Sequence, residues 1–106
     1  MAGALNAISL CDKRSYASPL QMYYVYILQS EMNKSLYIGY SSDLKTRLEA
    51  HLSGKSKATK PFLPYKLIFY DAFLNRIDAK NREEYLKGGY GRRTIKQILR
   101  KHFDNV

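Results

Sequence analysis

The chain has 106 residues, enough for one small domain. Its 45% apolar and 25% charged residues exclude a disordered polymer, and no apolar run approaches a membrane span. Eighteen Lys and Arg against nine Asp and Glu leave a net charge of +9, which implies an anionic partner, nucleic acid or an acidic membrane surface. The single cysteine, Cys11, excludes a disulfide framework and a thiolate zinc site, and it points to a reducing compartment, the cytoplasm.

Residues 1–21 show neither helical nor strand periodicity. Their apolar patch from Ala2 to Leu10 is broken by Asn6 and Ser9 and is preceded by no Lys or Arg, so it makes a poor secretory signal. The segment reads as a disordered or loosely docked leader, with Met22 as an alternative start and residues 22–106 as the domain. Tyr23 to Gln29 is β-branched and aromatic, a strand. A polar link from Ser30 to Ser35 leads into a second strand, Leu36 to Tyr40, and its shortness implies an antiparallel hairpin. Ser41, Ser42 and Asp43 offer caps for a helix running to about Leu52, with Gly54 at its end. Ser53 to Lys60 is a flexible basic loop bounded by Pro61 and Pro64. Tyr65 to Ala72 is a third strand, apolar on both faces, which predicts a central or helix-covered position. Asn75 or Asp78 can cap a second helix through Lys87. Gly88-Gly89-Tyr90-Gly91 breaks it, and a third helix runs from Arg92 to about His102, with Ile95, Ile98, Leu99 and His102 as one buried stripe. The expected architecture is α+β, a small three-stranded antiparallel sheet flanked by helices in the order β-β-α-β-α-α.

Two helices carry polar groups beside their apolar stripes. In the first, Leu44, Leu48 and Leu52 form the stripe, and Asp43, Arg47 and His51 recur every four residues along its flank. Arg47 alone is explained as a cation snorkelling past the leucines. In the second, Glu83 shares a face with Ala79 and Leu86 while Glu84 points toward water. A carboxylate on an apolar stripe needs a partner, either an ion pair with Lys87 or Arg47, or a metal.

Tyr24-Val25-Tyr26 and Tyr37-Ile38-Gly39 together resemble the signature of the GIY-YIG nuclease family. The likeness covers most of residues 23–100: Arg47 follows Tyr37 by 10, His51 follows Arg47 by 4, and Ala79, Glu83, Leu86 and Lys87 match a late Ala-x-x-x-Glu-x-x-Leu-Lys element. Thr59, Pro61 and Leu67 to Tyr70 resemble the loop and third strand of its small bacterial single-domain members. The first tripeptide departs from the pattern, with Tyr24 for Gly and Val25 for Ile. The resemblance implies a divalent-metal-dependent endonuclease acting on DNA. Glu83 would hold Mg²⁺ or Mn²⁺, a hard ion that keeps several waters. Arg47 would bind the scissile phosphate and steady its transition-state charge. Tyr26 and Tyr37 would activate water, with Tyr26 favoured as the base. That role needs a phenol lowered from its ordinary value of about 10. His51 would help as a hydrogen-bond donor or in proton transfer, and Gly39 would leave room for the DNA backbone. A noncatalytic nucleic-acid-binding module keeping the same fold is the alternative.

The charge distribution matches a polyanionic partner. Lys55, Lys57 and Lys60 stand in one loop with no acid between them. Residues Arg76 to Lys101 hold nine basic and three acidic residues, among them Lys87, Arg92 and Arg93. Such groups contact the DNA backbone without reading sequence. A base-reading motif is missing, so specificity would come from DNA shape or from a partner protein acting on a monomer, and DNA repair is the expected setting. Because phosphate contacts release counterions, DNA affinity should fall at least about tenfold between low and physiological salt. A salt-independent affinity in a fluorescence titration would contradict phosphate binding.

Overall fold

The computed structural model describes residues 21–104. The expected leader, residues 1–21, lies outside them except for Gln21. The first hairpin forms as its sequence directs. Strand β1, Tyr23–Ser30, pairs antiparallel with β2, Leu36–Ser41, in a register that sets Tyr26 opposite Gly39 and Leu28 opposite Tyr37. The link turns through Lys34, whose φ is 66°. Strand β3, Tyr65–Phe73, then pairs antiparallel with the other edge of β1, giving the order β2-β1-β3.

The centre of the sheet is therefore β1, so of the two positions expected for β3 the central one is excluded and the helix-covered one stands, its Ile68, Phe69 and Phe73 packing on the core. A central strand must be paired on both edges and covered on both faces. β1 meets both conditions, being buried at every position from Val25 to Ser30. In β3, Leu67 and Tyr70 remain exposed, as an edge strand permits. Alternation along β1 supplies two cores. Val25 and Ile27 pack with Ala79, Leu86 and Ile95, while Tyr26 and Leu28 pack with Tyr65, Leu44, Leu48 and Leu63 on the opposite face.

Helix α1, Leu44–Leu52, is capped by Asp43, whose carboxylate accepts from the Thr46 amide at 3.2 Å. Gly54 just beyond it takes φ +84°, the left-handed conformation that suits glycine. A short 3₁₀ turn, Lys60–Phe62, follows before β3. Helix α2, Arg76–Lys87, is capped by Asn75, not Asp78. The expected third helix divides at Leu99 into α3, Gly91–Ile98, and α4, Arg100–Asp104.

Two members of the expected apolar stripes face solvent. Leu52 is exposed because its neighbour His51 turns inward instead, and adjacent helical residues point about 100° apart. Ile98 is exposed because the break at Leu99 reorients the chain, leaving Ile95, Leu99 and Phe103 to pack on the sheet. His102 is half-buried but polar in its contact, with Nε2 2.7 Å from Gln29 Oε1. Among the described residues no helix is long and apolar enough to cross a membrane.

The turn from α2 into α3 depends on Gly91. A Cβ there would collide with the Leu86 backbone, which cannot move aside as a side chain can, whereas a Cβ at Gly89 would meet nothing. Gly91→Ala should therefore cost at least about 1–3 kcal/mol in urea denaturation. Gly89→Ala serves as the control and should stay close to wild type; equal effects would remove the close-approach argument.

Candidate active site

Tyr26 is the anchor of the site. Its ring lies across β2 in the space that Gly39 leaves open, and a Cβ at Gly39 would collide with the phenol. Gly39 is itself buried. The expectation that it makes room for a DNA backbone is thus corrected, since the room is filled by Tyr26. The phenol oxygen lies 2.9 Å from His51 Nε2, and His51 Nδ1 lies 2.9 Å from Thr59 Oγ1. All three side chains are fully buried. Helix α1 delivers His51 to this chain one turn beyond Arg47, and the basic loop delivers Thr59.

The electrostatics assign the protons. Burial raises the Tyr26 phenol above its ordinary value, and the Arg47 guanidinium, by hydrogen bonding and charge, only partly opposes this. The lowered phenol expected at Tyr26 is not found, so it holds its proton at neutral pH. Burial lowers His51, with the Arg47 charge adding to the effect, so the imidazole is neutral. The Arg47 guanidinium acts on the Tyr26 oxygen as a positive neighbour, which repels the phenolic hydrogen and favours its donation to His51 Nε2. A neutral imidazole accepting at Nε2 carries its hydrogen on Nδ1, which then donates to Thr59. Thr59 was not foreseen as a site residue. Its sequence signal was its match, with Pro61, to the connecting loop of the small single-domain family members.

Tyr37 stands on the same face, with its ring 6.3 Å from that of Tyr26 and 4.9 Å from that of His51. Unlike Tyr26 it is only half-buried, so of the two phenols it is the one that solvent reaches. Arg47 is exposed beside this buried chain. Glu83 comes from α2, which packs against β1 and β2. Its side chain is 12% exposed, and its charge acts on the Tyr26 phenol, raising it further. The inward position and the ion pair weighed from its spacing are both present: Glu83 Oε2 meets Lys87 at 3.0 Å, and Oε1 meets Lys80 at 3.4 Å. Tyr26, Tyr37 and His51 therefore pack together, and the charges of Arg47 and Glu83 both act on the Tyr26 phenol.

The cations divide into two groups. Lys55, Lys57 and Lys60 are exposed on the segment carrying Thr59. Lys87, Arg92 and Arg93 belong to the α2–α3 side. Lys87 and Arg92 line a cleft there together with Lys34 and Lys96, and Arg93 lines a smaller hollow beside α4. Lys34 was missed from sequence, where it reads only as a turn residue.

A metal centre made wholly of protein ligands is not available, because among the described residues no three His, Cys, Asp or Glu gather. Attachment through one carboxylate does fit. Glu83 Oε1 has only the longer contact, to a lysine 46% exposed, so that oxygen can be released to an ion that keeps most of its waters.

Residues 22–97 match the model of the GIY-YIG catalytic domain. The chain belongs to the GIY-YIG family. It is similar to the UPF0213 protein CPE1444 of Clostridium perfringens, 40% identical over 62% of this chain and 71% of that one. It is also similar to the UPF0213 protein YsiG of Lactococcus lactis, 45% identical over 64% of this chain and 65% of that one. Among solved structures, the UPF0213 protein BH0048 of Bacillus halodurans is 32% identical over 76% of this chain and 85% of that one, with a TM-score of 0.49. In GIY-YIG terms, the first signature's tyrosine is Tyr26 and the second signature's are Tyr37 and Gly39, and the close approach of Tyr26 to Gly39 joins the two signatures physically.

Because His51 is lowered from about 6.5 on folding, its unfolded form binds a proton over a range where the native form does not. Its contribution to stability is thus present above about pH 6.5 and is lost as pH falls toward its native value. The thermal midpoint should drop more between pH 7.5 and 5 in wild type than in His51→Gln. Thr59→Val should cost about 1–3 kcal/mol by leaving a buried donor unpaired, and Thr59→Ser should recover most of it. The ¹⁵N shifts of His51 should report hydrogen on Nδ1; hydrogen on Nε2 would reverse the assigned chain.

Proposed function

We propose that this GIY-YIG protein is a divalent-metal-dependent endonuclease that hydrolyses phosphodiester bonds in DNA. The observation that supports the proposal is that Tyr37 and Arg47 stand beside one buried Tyr26–His51–Thr59 chain, whose phenol also feels the charge of Glu83. Hydrolysis requires a positioned water, charge stabilisation on the phosphate and a proton for the leaving oxygen. Arg47 offers a planar fork to two phosphate oxygens, and its charge already acts at the Tyr26 oxygen. Tyr37 is the phenol accessible to the attacking water; it takes the water's proton while passing its own hydroxyl proton to a neighbouring water, as the new P–O bond forms and the old one breaks, and the leaving oxygen takes a proton from solvent. This gives Tyr37 the base role first favoured for Tyr26, which instead orients Arg47 and His51. Glu83 would hold Mg²⁺ or Mn²⁺, and such an ion, when bound, supplies positive charge to the phosphate and the leaving oxygen.

An incoming phosphate is a natural competitor for Lys80 and Lys87. Their transfer from carboxylate to phosphate frees Glu83 for a cation, which links substrate arrival to site assembly. The same two ion pairs are the observation favouring the second reading, a noncatalytic DNA-binding module, since they already neutralise Glu83 in the protein alone.

Nicking of supercoiled plasmid separates the readings. Wild type should nick with Mg²⁺ or Mn²⁺ and stop on chelation. Arg47→Ala and Tyr37→Phe should each lower the rate by about 10²-fold or more. Glu83→Gln should abolish metal-dependent nicking yet still bind DNA in EDTA. Unchanged cleavage in all three variants would remove these roles, and binding by wild type without cleavage would select the module.

A further inference from the structure

Along the open edge of β2, a cleft of about 650 Å³ runs between that strand, the C-terminal end of α2, and helices α3 and α4. Its rim carries four cations, Lys34, Lys87, Arg92 and Lys96, and no acidic residue lines it. Lys87 is shared with Glu83, while Lys34, Arg92 and Lys96 make no ion pair among the described residues. The walls are different in kind. Leu36 and Ile38 from β2, Leu86, Ile95 and the Phe103 ring form an apolar lining. Tyr37 lines the same cleft, so it adjoins the candidate active site.

An intact duplex does not match this combination. It presents phosphates and groove edges outward and keeps its base faces covered by stacking, so it would use the cationic rim and leave the apolar walls empty. A nucleotide out of the stack carries both features the cleft offers to meet, a flat apolar face and a phosphate at each side. The cleft volume falls within the range that encloses a small ligand.

We infer that this cleft is a subsite for an unpaired nucleotide, and that the substrate is DNA with a single-stranded tail or branch next to the bond held by Arg47 and Tyr37. The base lies against Leu36, Ile38 and Phe103, and the flanking phosphates meet Lys34, Arg92 and Lys96. This rests on the nuclease reading for the placement of the scissile bond, but not for the binding itself. The cleft also explains the basic charge of α3 in functional terms, since Arg92 and Lys96 stand over an apolar recess and not on a uniformly polar face.

The test uses the full chain in EDTA at physiological salt, with fluorescence anisotropy on a labelled blunt DNA hairpin and on the same hairpin bearing a short thymidine tail at one end or the other. A tail at one of the ends should tighten binding about tenfold, the scale of a single stacked base. Lys34→Ala/Arg92→Ala, two exposed positions, should remove that gain while weakening blunt binding less. Equal affinity for blunt and tailed hairpins, or proportional loss of both in the double variant, overturns the proposal. A tail preference without plasmid nicking would sink the catalytic reading and keep the subsite. Nicking without a tail preference would do the opposite.

Discussion

The hydrogen bond from the Tyr26 phenol to His51, fully buried, is the contact on which the rest of this molecule depends. It fixes three separate parts of the chain at once: the central strand, helix α1, and through Thr59 the basic loop. Burial excludes water as a substitute partner, so removing any member leaves a donor or acceptor unpaired at a cost of about 1–3 kcal/mol. The contact also decides how α1 rolls on the sheet. With His51 drawn inward, Arg47, one turn earlier, is held at the surface beside the phenol, and Leu52 is turned to solvent.

The same contact separates the roles of the two tyrosines. A phenol at the bottom of a packed chain keeps its proton and transmits geometry, whereas the half-buried Tyr37 can touch a water or a phosphate. Arg47 works in both directions. It opposes the burial effect on Tyr26 and adds to it on His51, because a nearby cation favours a phenolate but disfavours an imidazolium. Burial, reinforced by this guanidinium, keeps the imidazole neutral, which allows it to accept from Tyr26.

Much of this was legible in the sequence because it depends on local chemistry. The hairpin, the caps at Asp43 and Asn75, the break after Lys87 and the inward position of Glu83 all follow from neighbouring residues. The spacing of Tyr26, Tyr37, Arg47, His51 and Glu83 also carried the family resemblance. What was not legible depends on contacts distant along the chain. The apolar composition of β3 suits an edge strand under helices as well as a central one, and only pairing with β1 distinguishes them. Gly39 reads as open space until Tyr26 is seen to occupy it. Thr59 matches only a connecting loop, since its role is defined by a histidine eight residues earlier. Ile98 fits a helical stripe that the break at Leu99 interrupts.

The narrowness of the sheet explains how a site can use both of its faces. Tyr26 and His51 belong to the face covered by α1, whereas Glu83 lies on α2, over the face of Val25 and Ile27. In a wide sheet these groups would be separated by a layer of backbone and could share neither a phosphate nor a cation. Here β2 is both the neighbour of β1 and the edge, and the gap at Gly39 lets the Tyr26 phenol lie across it. The phenol therefore feels the Glu83 charge from the other side. The edge that lets the two faces communicate is also the edge along which the cationic cleft runs. A strand with no partner on its outer side is ordinarily a liability for association. In this protein that exposed edge is flanked by Lys34, Lys87, Arg92 and Lys96, the kind of charge that blunts edge-to-edge pairing.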